Sequence, residues 1–234
     1  MRLKRYALSM GLALLALASV AQAEGDSRDP YENFNRAMFA VNEKIDTYAA
    51  KPLAKGYDAA VPLPAKSSVG NALGNVSDLW TGVNNALQGK FSEAGSDLGR
   101  LLINSTVGIL GLFDVATELG LEKHDEDFGQ TLAVWGIKDS SYLVLPVFGP
   151  RTVRDAAGLV ADTYADPLGE VRPVSARNSI RGVRFVDVRA SLLPADKVVE
   201  EAALDKYAYI RDAYLQRRRH QIYDGRPPRI DDDY

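Results

Sequence analysis

Leu101-Leu102-Ile103-Asn104-Ser105-Thr106-Val107-Gly108-Ile109-Leu110-Gly111-Leu112-Phe113 is too apolar for an ordinary surface and too polar to cross a membrane. Three adjacent polar residues break it and glycines follow, so it falls short of the ~18 to 20 unbroken apolar residues that a spanning helix requires. A second stretch, Tyr142-Leu143-Val144-Leu145-Pro146-Val147-Phe148-Gly149-Pro150, is shorter. Its prolines, Pro146 and Pro150, lack the N–H that a long helix would use. Neither stretch can span a bilayer. Both suit a buried amphipathic path or a membrane interface.

On either side of these stretches the chain reads as helices. Asp29-Pro30 predicts a helix start, a capping side chain followed by proline in the first turn. Phe34, Met38, Val41, Ile45 and Tyr48 then form one apolar stripe, with Pro52, Pro62 and Pro64 predicted to end it. Val69, Leu73, Val76, Leu79, Trp80, Val83 and Leu87 share a face from which Asn71, Asn75, Asp78, Asn84 and Asn85 are excluded. A third helix runs from Phe91 through Leu98 and Leu102 into the first apolar stretch. Residues 131–135 and 142–147 alternate well enough to predict a short hairpin across 136–141. Ile180, Val183, Val186, Ala190 and Leu193 form a further apolar face, with Arg177, Arg181 and Arg184 on another side. Beyond Pro194, residues 198–215 predict one last long helix, and 225–234, with two adjacent prolines and Asp231-Asp232-Asp233, a disordered tail. On periodicity alone, every stripe fits the core-facing side of a helix in a soluble bundle.

Residues 1–23 predict a cleaved secretory signal: Arg2, Lys4 and Arg5, an apolar run over 7–20, then Ala21-Gln22-Ala23 as a small-x-small cleavage site. The whole chain carries a net charge of −3. Removing the three basic residues of the signal leaves 25 Lys and Arg against 31 Asp and Glu, a net of −6. That balance argues against nucleic-acid binding and against docking to anionic lipid by bulk charge. With 0 cysteines there is no disulfide framework, thiolate catalysis or thiol-based metal site, and no thiol for a lipoprotein anchor.

Catalytic patterns are missing. His124 and His220 are far apart and neither belongs to an H-x-x-x-H pair, so no metal site is predicted. Gly95-Ser96-Asp97-Leu98-Gly99 has its serine at the wrong offset for a nucleophile elbow. Gly89-Lys90-Phe91 lacks the glycine spacing and the hydroxyl of a nucleotide phosphate loop. Arg151 and Arg154, three residues apart, would share a face if a helix began after Pro150, a geometry able to hold a phosphate or an acidic partner. They fit equally well an ordinary surface or a local Arg154–Asp155 pair.

Four separated motifs occur in order: Asp29-Pro30-Tyr31-Glu32-Asn33-Phe34-Asn35-Arg36, Arg100-Leu101-Leu102-Ile103-Asn104-Ser105-Thr106-Val107-Gly108, Phe128-Gly129-Gln130-Thr131-Leu132, and Leu145-Pro146-Val147-Phe148-Gly149-Pro150 with Arg154-Asp155. Together they resemble the MlaA/VacJ family of outer-membrane phospholipid-trafficking proteins. The resemblance runs from Asp29 to the Tyr214-Leu215-Gln216-Arg217 region, which divides the chain into signal (1–23), family domain (24–222) and tail (223–234).

The resemblance implies an all-α, ring-like domain lying in the membrane plane, with a central amphipathic channel and room for one short β-hairpin. It implies a non-enzymatic outer-membrane component that removes mislocalised phospholipid from the outer leaflet and passes it to a periplasmic lipid carrier of the Mla pathway. Its neighbour would be a trimeric porin, and it would need no cofactor, metal, nucleotide or nucleic acid. Such a device answers a physical need. Bringing a two-chain lipid into water exposes roughly 30 methylenes at ~0.8 kcal/mol each, and carrying its phosphate through hydrocarbon is also costly.

Asn104, Ser105 and Thr106 are candidates for hydrogen bonds to the head group. Ile109, Leu112, Phe113, Leu145 and Phe148 are candidates for the acyl-facing wall, and Arg151 and Arg154 for head-group or carrier contact. Members of this family are typically lipoproteins, whereas this sequence has no cysteine: either its apolar faces hold it at the membrane unaided, or it is less firmly bound, or its start conceals a further feature. The rival expectations are a lipid- or envelope-modifying hydrolase and a porin-bound scaffold that transports nothing.

Overall fold

A computed structural model describes residues 27–138 and 140–229; the expected signal segment and residues 230–234 lie outside the described residues. The first helix, α1 (Glu32–Ile45), passes through one wide turn (Asp46–Ala50) straight into α2 (Lys51–Ala60). Pro52 therefore does not end the helix as expected. The wide turn rephases the backbone ladder just ahead of it, with Lys51 N–H bonding to the Asp46 carbonyl, so Pro52 falls in the first turn of α2, where a missing donor is tolerated. The stop comes at Pro62, which holds Val61 extended at φ −100° and ψ 120°. Pro64 then lies inside the first turn of α3 (Leu63–Leu87), starting a helix instead of ending one.

A tight turn through Gly89, at φ 81°, sends the chain back along α3 as α4 (Phe91–Thr106). The short α5 (Val115–Glu118) and α6 (Phe128–Val134) follow. The hairpin lies further on than expected: β1 (Tyr142–Leu145) pairs antiparallel with β2 (Gly149–Thr152), Leu145 opposite Gly149. The stretch 131–135 belongs to α6 and its C-terminal cap because the Asp127 carboxylate accepts from Gln130 N–H at 2.9 Å, a helix start that outweighs a short alternation.

Next come α7 (Val153–Ala165), capped by Thr152, then α8 (Val174–Ser191), α9 (Leu193–Ala202) and α10 (Lys206–Ile222). The single last helix expected over 198–215 is two, because Asp205 accepts from Ala208 N–H and starts a new helix after a break at 203–205. Asp29 does not cap α1, whose N-cap is Tyr31. It is buried instead, accepting from Asn35 Nδ2 at 2.7 Å and from the Tyr207 hydroxyl. The amide of Asn35 also bonds the backbone of Tyr142 and Val144, so α1, β1 and α10 meet at one polar knot.

The architecture is all-α apart from that hairpin, as expected, but α3 and α4 turn polar side chains inward. The apolar core proper is small: Tyr142, Val144 and Tyr207, with Met38, Phe39, Tyr214 and Leu215 packed on it. On α3 the buried side chains include Asn75, Asp78, Asn84 and Asn85; on α4 they are Ala94, Asp97, Arg100 and Asn104. Of the stripe expected to face a core, Leu79, Val83 and Leu87 are exposed while Val69, Leu73, Val76 and Trp80 are half-buried, and Phe91, Leu98 and Leu102 are exposed as well. In water this arrangement would forgo roughly 25 cal/mol for each Å² of apolar area left exposed. An apolar surround removes that cost and demands that inward polar groups satisfy one another. Among the described residues no helix is long and apolar enough to cross a membrane.

Candidate functional site: an apolar rim on a polar frame

The first apolar stretch ends α4 and then makes a closed loop over 107–113. Arg100, wholly buried, anchors it from below. Its Nη2 donates to both carboxylate oxygens of Asp114 at 2.9 Å, and its Nη1 donates to Thr117 Oγ1 at 2.9 Å and to the Leu121 carbonyl at 2.7 Å. Asp114 caps α5 by accepting from Thr117 N–H and Oγ1. Although burial opposes it, hydrogen bonds from Thr117, Asn104 and Arg100 hold the Asp114 carboxyl down at about 2. Asn104 completes the frame: its Nδ2 donates to Asp114 Oδ1 at 3.0 Å and its Oδ1 accepts from Ala116 N–H at 2.9 Å.

The loop closes on itself through Gly111 N–H to the Asn104 carbonyl at 2.7 Å and Phe113 N–H to the Gly108 carbonyl at 2.9 Å. A Cβ on Gly108 would lie 2.2 Å from the Phe113 carbonyl oxygen, so only glycine fits there. Ile109 and Leu110 take left-handed φ of 52° and 57°, a conformation that costs an L-residue roughly 1–2 kcal/mol. The result turns Val107, Ile109, Leu110, Leu112 and Phe113 outward, Leu110 being 78% exposed.

The sequence expectations divide on this geometry. Ile109, Leu112, Phe113 and Phe148 are exposed. Thr106 is exposed as well, its hydroxyl bonded back to the Leu102 carbonyl. Ser105 Oγ accepts from Asn75 Nδ2 at 2.9 Å. Asn104 is only 3% exposed and both ends of its amide are engaged, so it braces the loop and offers nothing to a head group. Leu145 is buried at the end of β1, where Asn42 grips the hairpin: Nδ2 donates to the Leu145 carbonyl at 2.9 Å and Oδ1 accepts from Val147 N–H at 2.7 Å. Val147, at φ 69°, and Phe148 form the exposed tip.

Arg151 and Arg154 do not share a helix face. Arg151 lies in β2, half-buried, while α7 begins only at Val153. Arg154 is buried, its Nε and Nη2 on Asp155 Oδ1 at 3.0 and 2.8 Å and its Nη1 on the carbonyls of Ile137 and Lys138. Asp155 also accepts from Tyr214 Oη at 2.7 Å and from Arg218 Nη2 at 2.9 Å, and Arg218 clasps Asp127 at 2.6 and 2.7 Å. Burial opposes ionisation of Asp155, yet Arg218 and Arg154 hold its carboxyl below the ordinary range. The close approach of α6 to α7 needs Gly129 and Gly158, since a Cβ on Gly129 would sit 2.6 Å from Asp155 Oδ1 and one on Gly158 2.5 Å from Gly129 N.

Two groups of residues thus hold the apolar surfaces in place: Arg100, Asp114 and Asn104 under one loop, Asp127, Asp155, Arg154 and Arg218 behind the hairpin and α6. Sequence reading passed over Arg100, Asp114, Asp127 and Arg218 as functional residues. Arg100, Asp155 and residues beside Asp127 had marked themselves only as parts of the ordered motifs. His124, considered for metal binding, pairs its Nδ1 with Asp97 Oδ1 at 2.9 Å, and Ser96 Oγ bonds the Glu122 carbonyl. Chemically, the assembly offers an apolar exterior for hydrocarbon on a rigid polar frame.

A family model described as MlaA lipoprotein matches residues 27–221. The "Intermembrane phospholipid transport system lipoprotein MlaA" of Escherichia coli K12 is 32% identical over 224 residues, covering 93% of this chain and 88% of that protein. Its namesake in Haemophilus influenzae is 31% identical, covering 86% and 82%. An uncharacterized protein of Rickettsia bellii is 36% identical over 195 residues, covering 83% and 76%. A solved structure from work on the "Structural basis for maintenance of bacterial outer membrane lipid asymmetry" superposes with a TM-score of 0.72 at 30% identity, covering 85% of this chain and 99% of its own.

Proposed function

This chain belongs to the MlaA lipoprotein family, and on that premise we propose that it is the outer-membrane component of an intermembrane phospholipid transport system that maintains outer-membrane lipid asymmetry. The observation that carries the reading is the reversed polarity of α3 and α4, with Asn, Asp and Arg inside and Leu, Val and Phe outside. A protein seated in hydrocarbon, with its polar groups turned inward and bonded to one another, is built in this way.

In this reading the domain lies in the membrane plane as a ring around an amphipathic channel, next to a trimeric porin. It accepts phospholipid from the outer leaflet and hands it to a periplasmic carrier. Ser105 and Thr106 serve the head group, Ile109, Leu112, Phe113 and Phe148 the acyl chains, and Arg151 the carrier or head group. Asn104, Leu145 and Arg154 position these groups. In this reading the exposed apolar faces of α3, α4 and the 107–113 loop contribute to membrane attachment. Nothing in the chain's motifs supplies nucleotide energy, so net direction comes from the carrier or from a coupled machine.

The test is outer-leaflet phospholipid content in a deletion strain complemented with the intact chain. Restored asymmetry with the protein recovered among outer-membrane markers after high-salt washing is the expected result. Recovery in the soluble periplasm, or a deletion strain with normal asymmetry, would refute it. Phospholipid hydrolysis products released by the purified chain would favour a hydrolase instead.

A further inference from the structure

A cavity of about 640 Å³ lies away from the 107–113 loop, between the segment preceding α1, the loop before β1 and the outer turns of α10. Its size falls within the roughly 300–1,000 Å³ of small-molecule sites. Arg28, Lys138, Arg154, Arg218 and Arg219 all contribute to its wall, and among the described residues lining it there is no carboxylate. For a chain of net charge −3 that is a pronounced local inversion of sign.

The charges are not equivalent. Arg154 and Arg218 are neutralised from behind by Asp155 and Asp127 and serve as fixed walls. Arg28 pairs with Asp212 at 3.6 Å, with both side chains about half exposed. Lys138 makes no ion pair with a described residue, and the Arg219 guanidinium donates to the Pro228 carbonyl without a carboxylate partner among them. The serines Ser27, Ser140 and Ser141 add hydroxyls to the wall, of which Ser140 Oγ accepts from Arg154 N–H. Lys138 and Arg219, without a carboxylate partner among the described residues, together with hydroxyl donors in a concave site, make a donor set that suits phosphate oxygens.

We propose that this cavity binds a phosphate-bearing ligand, with Lys138 and Arg219 as its charge contacts and the serine hydroxyls as secondary donors. The volume exceeds what a bare phosphate needs and accommodates a phosphodiester with a small polar substituent, the chemistry shared by free phosphate esters and lipid head groups. The inference does not rest on the transport reading, because the cavity is distinct from the apolar rim.

The test is calorimetric titration of the full chain, purified in detergent at low salt, with inorganic phosphate and separately with water-soluble glycerophosphoethanolamine. Saturable binding that Lys138→Gln/Arg219→Gln weakens at least tenfold, with an unchanged melting curve, is expected. Lys55→Gln/Lys197→Gln, which removes the same charge from exposed positions elsewhere, should leave it intact. Tighter binding of the diester assigns the site to a head group, and equal binding assigns it to free phosphate. No saturable binding of either probe, or equal weakening by the two double variants, would overturn the proposal. Binding lost in the variant while outer-leaflet lipid stays normal would keep the pocket and separate it from transport; abnormal transport results with binding intact would count only against the transport reading.

Discussion

Asn104→Leu distinguishes a brace from a lipid-lining residue. The change is close to isosteric, so it removes polar partners and leaves little cavity. It strands two groups: the wholly buried Ala116 loses the acceptor for its N–H, and Asp114 loses one donor of the set that stabilises its ionised form. At ~1–3 kcal/mol for each unsatisfied group, the loss is about 2–6 kcal/mol, a large fraction of the ~5–15 kcal/mol that a domain holds. With melting shifts of ~2–4 °C per kcal/mol for a domain of this size, the midpoint should fall by at least ~4 °C. The assay is thermal unfolding in detergent micelles, together with steady-state abundance in the envelope. Outer-leaflet phospholipid should rise only in proportion to the protein lost. A variant of normal melting point and abundance that fails to clear phospholipid would refute this reasoning and return Asn104 to the lipid path.

Arg100→Leu should be more damaging, at ~3–5 kcal/mol, because it leaves the carboxylates of Asp78 and Asp114 with their common buried cation removed; wild-type abundance of this variant would contradict the account. Leu110→Asp, at an exposed position, should change the melting point in detergent little but lower co-flotation with phospholipid vesicles, and unchanged flotation would remove the 107–113 loop from the membrane contact. Gly129→Ala should cost ~1–3 kcal/mol by pushing Asp155 and Arg218 apart, measured as a lower urea midpoint, and a neutral result would mean α6 and α7 can separate freely. Asp114, depressed to about 2, contributes stability above the ordinary carboxylate value near ~3.9 and loses it as pH falls towards 2; the difference in urea midpoint between wild type and Asp114→Asn should therefore shrink across that range, and a pH-independent difference would contradict it.

Much of the architecture was legible in the chain itself. The 3.6-residue stripes located α1, α3, α4 and α8, and two apolar stretches too short and too interrupted to span a bilayer pointed to a membrane interface. Periodicity establishes that a helix has two unlike faces; it carries no information about which face turns inward, since that depends on the medium outside. The tertiary structure reverses the assignment on α3 and α4, where Asn75, Asp78, Asn85, Asp97 and Arg100 are buried between the helices and Leu79, Leu87, Leu98 and Leu102 face out. Contacts distant in sequence decided the rest. Asn104 became a brace because Ala116 and Asp114 fold back over it. Arg154 became a wall residue because Asp155 and two carbonyls surround it, and Arg218 joined Asp127 and Asp155 across 91 and 63 residues. Side-chain satisfaction in three dimensions has no local signature, so residue type and spacing could nominate these polar groups but only the tertiary structure could separate those that hold the frame from those left free to act.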